Sequence, residues 1–305
     1  MIGRERINKN KKGMVLDIVM GLMAALCWGV TDYLVGRSAR AFGVRQSVLL
    51  GQLIGLLVLT SMIAVSVEGF SFLRETDLIY LLLSVLAGLS TIAGALAISS
   101  AFFSGRTSIV APLVTSYGVF TTLLAWWSGE AVSVLQFVGL VICASGVAFV
   151  GLGNRASGST SPVAEGRAIL LALLAAVLYG VSFWLQGVYA LPVIGPVNML
   201  WTSYLTGVVV LWPVTYKTLA LRSRGLRAYA ALCGASLSNL GGFTAFSYGV
   251  VGGSVAIVTV ISTLSGGVAA VLGYLFYRER MTAMQLVGIC LVLGGAMALH
   301  LAGGS

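Results

Sequence analysis

The chain reads as an all-α integral membrane protein of ten transmembrane helices, arranged as two inverted-topology five-helix repeats. Three observations predict this. Its mean hydropathy is +1.01, with 58% apolar and only 9% charged residues. A soluble domain carries about a quarter charged residues, so there is too little polar surface here to coat a water-soluble particle. Next, a helix needs about 20 apolar residues to cross a bilayer. Ten segments qualify, at 16–36, 44–67, 78–100, 107–127, 132–152, 167–190, 196–217, 228–250, 254–276 and 282–302. Finally, the chain repeats itself. Ser116, Val119, Leu123, Glu130, Gln136, Val138, Gly139 and Gly146 return 149 residues later as Ser265, Val268, Leu272, Glu279, Gln285, Val287, Gly288 and Gly295. A fixed internal period inside apolar segments marks a membrane protein built of two like halves.

The elements follow in order. Residues 1–13 form a basic tail with Arg4, Arg6, Lys9, Lys11 and Lys12. The apolar run from Leu16 to Gly36 is longer than the ~7–15 residues of a signal-peptide core, so it is read as a retained first span. Repeat 1 occupies 14–152 and holds five segments. The stretch 153–166 carries Arg155, Ser157, Gly158, Ser159, Thr160, Ser161, Pro162 and Glu165, and it is the most linker-like part of the chain. Repeat 2 occupies 167–305. Five is odd, so the second half enters the membrane reversed. Helices rather than a barrel are expected, because lipid leaves backbone groups no partners and no alternating strand pattern is present. Small residues at helical spacing (Gly51 and Gly55, Ser84 and Gly88, Ala269 and Gly273) predict close helix contacts.

Charge and cysteine usage exclude several classes. The net charge of +9 comes from Lys and Arg between the apolar runs, which orient helices and meet lipid phosphates, so no nucleic-acid partner is expected. With the N-terminus inside, six Lys and Arg fall on its side and twelve on the other. The positive-inside rule then favours termini outside, whereas the basic tail favours the reverse, and the orientation stays open. Cys27, Cys143, Cys233 and Cys290 sit in four separate segments without a CxxC or a His neighbour, so neither a metal nor a disulfide framework is expected. There is no phosphate-binding lysine loop, hence no direct use of ATP. A single histidine, His300, and no lysine within a span leave nothing for an intramembrane enzyme, so no catalytic residue and no cofactor are assigned.

Short motifs sharpen the picture. Cys27-Trp28-Gly29 lies in the first span, and Tyr179-Gly180 stands at the same place in the second half. Ala111-Pro112-Leu113 opens the fourth span, Gly129-Glu130 ends it, and Gln136-Phe137-Val138-Gly139 starts the fifth. Arg278-Glu279 and Gln285-Leu286-Val287-Gly288 repeat that close. Over residues 14–302 the chain resembles the EamA branch of the drug/metabolite transporter superfamily. It departs from an even duplication where Val260 or Ile261 replaces the proline and Tyr-Gly replaces Trp-Gly. The resemblance implies a transporter of small metabolites, such as amino acids or related compounds, exporting or exchanging them across an inner or plasma membrane. A lipid-linked flippase or a channel-like pore on the same fold is the alternative.

The expected site is a central cavity near mid-membrane, lined by spans 1, 3, 6 and 8 with 4 and 9. Asp32 is the one acid well inside a span, a candidate for binding a cation or a coupling proton, or else for pairing with Arg37 near the helix end. Trp28, one turn earlier, shares its face, and Tyr179, Phe183 and Gln186 repeat the stripe in the second half as aromatic contacts or helix packing. Thr31 and Ser182 match across the repeat and donate either to substrate or to their own helix. Asn239 with Ser236, their counterpart Ser90, and Tyr117 and Tyr248 complete the candidates, with Tyr204 fainter. Pro112 is expected near a first helical turn, where it is harmless. Glu130 and Glu279 are expected to start helices, and Gln46, Gln52, Asn198 and His300 to be structural. The expected partners are a small-molecule substrate, the lipid bilayer and protons as the coupling ion, with the chain a monomer or weak homo-oligomer.

Overall fold

The structure, a computed structural model, describes residues 2–129, 162–218, 225–252, 255–277 and 282–301, with scattered residues of 134–149. The fifth expected segment and most of the linker therefore lie outside the described residues, as do Glu130 and Glu279. All described elements are helical. Among them, six stretches are long and apolar enough to cross a membrane: Ile18–Phe42, Val44–Ala64, Leu78–Ser104, Thr107–Trp127, Val163–Ile194 and Pro196–Thr215.

Helix α1 (Ile2–Phe42) runs on from the basic tail without a break. It turns into α2 (Val44–Ala64) through a single residue, Gly43, at φ +85°. Only glycine takes that left-handed conformation without strain, which permits a one-residue reversal. Gly195, at φ +75°, makes the same reversal into α7 (Pro196–Thr215) at the matching place of the second half. Helix α3 (Leu78–Ser104) leads to α4 (Thr107–Val114) and α5 (Tyr117–Trp127). In the second half the described residues resume at Pro162, already in a helix. Its first span is α6 (Pro162–Trp184), a π-turn Leu185–Ala190 and a short helix Leu191–Ile194. The wider turn lets the path continue to Pro192, whose ring clashes with an α-helical carbonyl four residues back.

After α7 come α8 (Leu226–Gly252), α9 (Val255–Ser262), α10 (Ser265–Tyr277) and α11 (Ala283–Leu301). Helix α8 has spanning length, but Ser236, Ser238, Asn239, Gly241 and Gly242 dilute its hydropathy. The expected fourth and ninth spans are each broken. Around Thr115–Ser116 and Thr263–Leu264 the backbone bonds shorten to three-residue steps, as in Ser116 N–H to Leu113 O (3.2 Å) and Leu264 N–H to Ile261 O (3.1 Å). Pro112 is the sixth residue of α4, inside the helix and just before the break, which corrects the harmless first-turn expectation.

Matching helices of the two halves cross antiparallel. On α2 and α7, a Cβ on Gly207 would meet Gln52 at 2.9 Å, one on Gly55 would meet the Tyr204 ring at 2.0 Å, and Trp201 Nε1 donates to Thr60 Oγ1 at 3.0 Å. Residue numbers rise on one helix as they fall on the other. At the breaks, likewise, Gly118 abuts Thr263 while Gly266 abuts Thr115 and Pro112. The halves also embrace each other: α1 lies on α8 and α10, and α6 lies on α3 and α5. Gly29 against Val268 and Gly180 against Phe120 are the tight points, each 2.5 Å from a would-be Cβ. Lipid gives no hydrophobic drive to pair apolar helices, so such close backbone approaches supply the packing.

Candidate functional site

A cavity of about 100 Å³ lies between the halves. It has room for several waters at roughly 10–15 Å³ of accessible space each. Eight expected residues stand on its wall: Trp28, Thr31, Asp32, Tyr117, Tyr179, Phe183, Ser236 and Asn239. The wall runs from Trp28 to Ser38 on α1, Ser47 to Gln52 on α2, Ala95 to Ser99 on α3 and Leu232 to Phe243 on α8. These are the C-terminal parts of α1 and α3 and the N-terminal parts of α2 and α8. The chamber therefore extends toward one face of the bundle, the face that carries Gly43, Ser104 and Leu226. An aromatic cluster backs the chamber. Trp28 lies 5.5 Å from Phe183, 5.2 Å from Phe243 and 5.8 Å from Phe246, and Tyr117 lies 4.9 Å from Phe183.

Asp32 is 8% exposed and faces the chamber. It has no ion-pair partner among the described residues. Arg37, five residues on, points roughly 140° away around the helix and is exposed, so the alternative of an intrahelical pair does not hold. Among the described residues, no Lys, Arg or His lines the wall.

Several hydroxyls near Asp32 are committed elsewhere, though Ser38 Oγ on the same wall has no partner among the described residues. Thr31 Oγ1 donates back to Cys27 O at 2.9 Å and leans toward Ala235 O at 3.4 Å. Ser236 Oγ donates to Leu232 O at 2.7 Å. Tyr117 Oη meets Ser262 Oγ at 2.8 Å, and Ser262 also bonds to Thr259 O at 2.7 Å. A serine has one hydrogen, so Tyr117 is the donor of that pair. Asn239 Nδ2 donates to Tyr204 Oη at 3.3 Å. Tyr204 itself is wedged on Gly55 at the crossing of α2 and α7, a joint rather than a wall.

Four candidates lie off the wall. Ser182 sits in a buried cluster between α6 and α3, donating to Ala87 O at 2.9 Å, 2.6 Å from Thr91 Oγ1, and accepting from Gln186 Nε2 at 2.7 Å. Gln186 thus packs toward α3 from the π-turn. Ser90 is half-buried outside the chamber, and Tyr248 is 46% exposed on the outer surface. The reading of the sequence missed α2 as a wall. Ser47, Gly51 and Gln52 form one stripe at helical spacing, and Gln52 stands three residues before Gly55 as Tyr204 does before Gly207, which was the available signal. Other expectations concern the periphery. Trp126 and Trp127 are exposed, and Asn198 Nδ2 bonds to Ile194 O at 3.0 Å. Arg106 Nε donates to Glu165 Oε1 at 2.9 Å, joining the N-terminal end of α4 to α6.

A duplicated helical bundle with broken helices crossing beside a chamber between its halves is the architecture of a membrane transporter of small molecules. The chain belongs to the EamA-like transporter family, whose model matches residues 16–152 and 166–301, one match per repeat. No curated protein matches it. A solved crystal structure, titled only as that of a protein, is similar in fold, with a TM-score of 0.70 over 93% of this chain and 96% of that one at 17% identity.

Proposed function

We propose that this protein is a secondary transporter of small metabolites that works by alternating access. In this reading ten spans form two inverted five-helix units, which rock about the chamber and export or exchange solute across an inner or plasma membrane. The observation that carries the reading is the one-sided chamber between antiparallel counterparts. A two-fold duplicated bundle with its cavity on one side has a second, equivalent arrangement with the cavity on the other. Trp28, Asp32, Tyr179 and Asn239 are the proposed substrate contacts, with Thr31, Tyr117, Phe183 and Ser236 completing their wall. Ser182 and Gln186 hold α6 on α3 behind them. Asp32 is the proposed protonation site that couples transport to a proton gradient.

The aromatic backing behind the chamber counts against a continuous channel, which needs a polar path through both faces. Flux into proteoliposomes tests the reading, with a solute first chosen for raising the melting temperature of the purified protein. Saturable uptake that supports counterflow is expected, and a non-saturating conductance would replace the carrier with a pore. If Asp32→Asn leaves both binding and pH-driven flux unchanged, the coupling role is wrong.

A further inference from the structure

We propose that the chamber selects organic cations, that is, amines or quaternary ammonium groups on an apolar or aromatic skeleton, and rejects solutes that carry a carboxylate or phosphate. The proposal rests on the carrier reading above only in taking the chamber as the place where solute binds. Three features of the wall converge on it.

The first is formal charge. Asp32 is the only charged residue on the wall among the described residues, and it has no cationic partner among them. A carboxylate shielded from bulk water and left without a counter-ion is held at an energetic disadvantage that a bound cation relieves. A solute anion would instead meet like charge and no Lys, Arg or His.

The second is the aromatic surface. Trp28 stands one helical turn before Asp32 and on the same face. With Tyr117, Tyr179, Phe183 and Phe243 it forms an aromatic cluster on the chamber wall. A cation within about 6 Å of a ring centroid is attracted by the electron-rich face, most strongly where water is excluded.

The third is the direction of the hydrogen bonds. The hydroxyl hydrogens of Thr31, Ser47, Tyr117 and Ser236 all go to acceptors of the protein itself. Asn239 gives one amide hydrogen to Tyr204 Oη and keeps its carbonyl oxygen available. These groups turn lone pairs to the chamber, where an ammonium N–H can be received. The other polar groups of the wall, Ser38, Gln52 and Tyr179, are neutral, so they can bond to either kind of solute but cannot offset the charge of a carboxylate beside Asp32.

The test uses three solutes with one skeleton and different charge: 2-phenylethylamine, phenylalanine and 3-phenylpropionate. Each is titrated against the purified full chain at neutral pH by calorimetry. The amine is expected to bind ~10-fold or more tightly than either of the others, since one uncompensated charge easily exceeds a tenfold step. Asp32→Asn is expected to weaken the amine by about 30-fold or more while leaving the ligand-free melting temperature unchanged or higher. Phe183→Leu should weaken all binding without changing the charge order. Failure of the amine to bind overturns the proposal, and so does equal or tighter binding of phenylalanine or 3-phenylpropionate. The same solutes in counterflow separate this inference from the carrier reading. An anion or zwitterion that binds and exchanges leaves a carrier without cation selection. An amine that binds through Asp32 but shows no saturable flux leaves a cation site without a carrier.

Discussion

Helices α1 and α6 hold the same place in their halves, yet they bring different chemistry to it. Trp28, Thr31, Asp32 and Val35 on α1 correspond to Tyr179, Ser182, Phe183 and Gln186 on α6. The backbones are treated alike: Gly29 beds on Val268 of α10, and Gly180 beds on Phe120 of α5. The side chains are not. On α1 the acid looks into the chamber, whereas on α6 a phenyl ring fills that position and the polar pair turns outward to Thr91 and Ala87. Duplication has kept the joints and divided the chemistry, one half supplying the charge and the other an aromatic wall.

The sharpest way to break this comparison is to exchange the two chemistries, with Asp32→Phe combined with Phe183→Asp. If the halves were interchangeable, binding would survive. Phe183 lies 4.6 Å from Phe246 and 4.9 Å from Tyr117, so an aspartate there leaves a void and a charge among rings. The double variant is expected to lose about 3–5 kcal/mol of stability in a denaturant titration and all measurable amine binding. A stable, binding double variant would show the halves to be chemically equivalent.

The glycines sharpen the other side of the comparison. A methyl on Gly29 would sit 2.5 Å from Val268 Cβ and 3.1 Å from Ser265 O, and one on Gly180 would sit 2.5 Å from Phe120 Cβ and 3.2 Å from Tyr117 O. Backbone oxygen on both sides limits relief. Gly29→Ala and Gly180→Ala are each expected to cost about 1–3 kcal/mol, and to agree within about 1 kcal/mol. Gly294→Ala, with nothing within 4 Å among the described residues, provides the control.

A smaller contrast separates the matched hydroxyls. Ser182→Ala removes the acceptor of Gln186 Nε2, in a side chain whose Oε1 has no partner among the described residues, and should cost about 1–3 kcal/mol. Thr31→Ala gives up a bond to its own helix and a long one to α8, worth about 0.6 kcal/mol. Thermal unfolding of both variants would expose any reversal of that order.

Much of this was legible in the sequence, and the residues explain what was not. The repeat was readable from its period, and the inward face of α1 because Asp32 is too polar for lipid and so fixes the rotation of its helix. Apolar faces give no such fix, since lipid tails are as apolar as a neighbouring helix. On α2 the polar Gln52 was taken as structural, and Val48 and Gly51 look the same whether they meet lipid or a chamber. The helix breaks were half legible, for Pro112 marks the first while Ile261 stands in the second with no proline at all. The second break follows the first because the two cross, with Gly266 pressed on Thr115 and Pro112. Ser90 was placed with the site as the repeat counterpart of Asn239, but away from the centre of the bundle the repeat carries a wall residue to a partner at the opposite end, off the chamber.

That displacement gives the last prediction. Ile98 and Ser99 of α3 line the chamber, while their counterparts Ser247 and Tyr248 of α8 do not, and Asn239 lines it while Ser90 does not. If the halves exchange roles, the opposite-facing chamber is lined by the counterparts. Ser247 is fully buried, and its hydroxyl has no partner among the described residues. A buried polar group without a partner carries a cost that opening to water removes. Ile98→Cys and Ser247→Cys, each in a background with Cys27, Cys143, Cys233 and Cys290 replaced by alanine, should both fold, with stability changes within about 1 kcal/mol for Ser247→Cys. An impermeant thiol reagent is expected to reach Cys at position 98 from one face of the membrane and at position 247 from the other. An inward gradient of 2-phenylethylamine should move the two rates in opposite directions. Labelling of both from one face would mean a fixed, one-sided cavity and halves that never trade places.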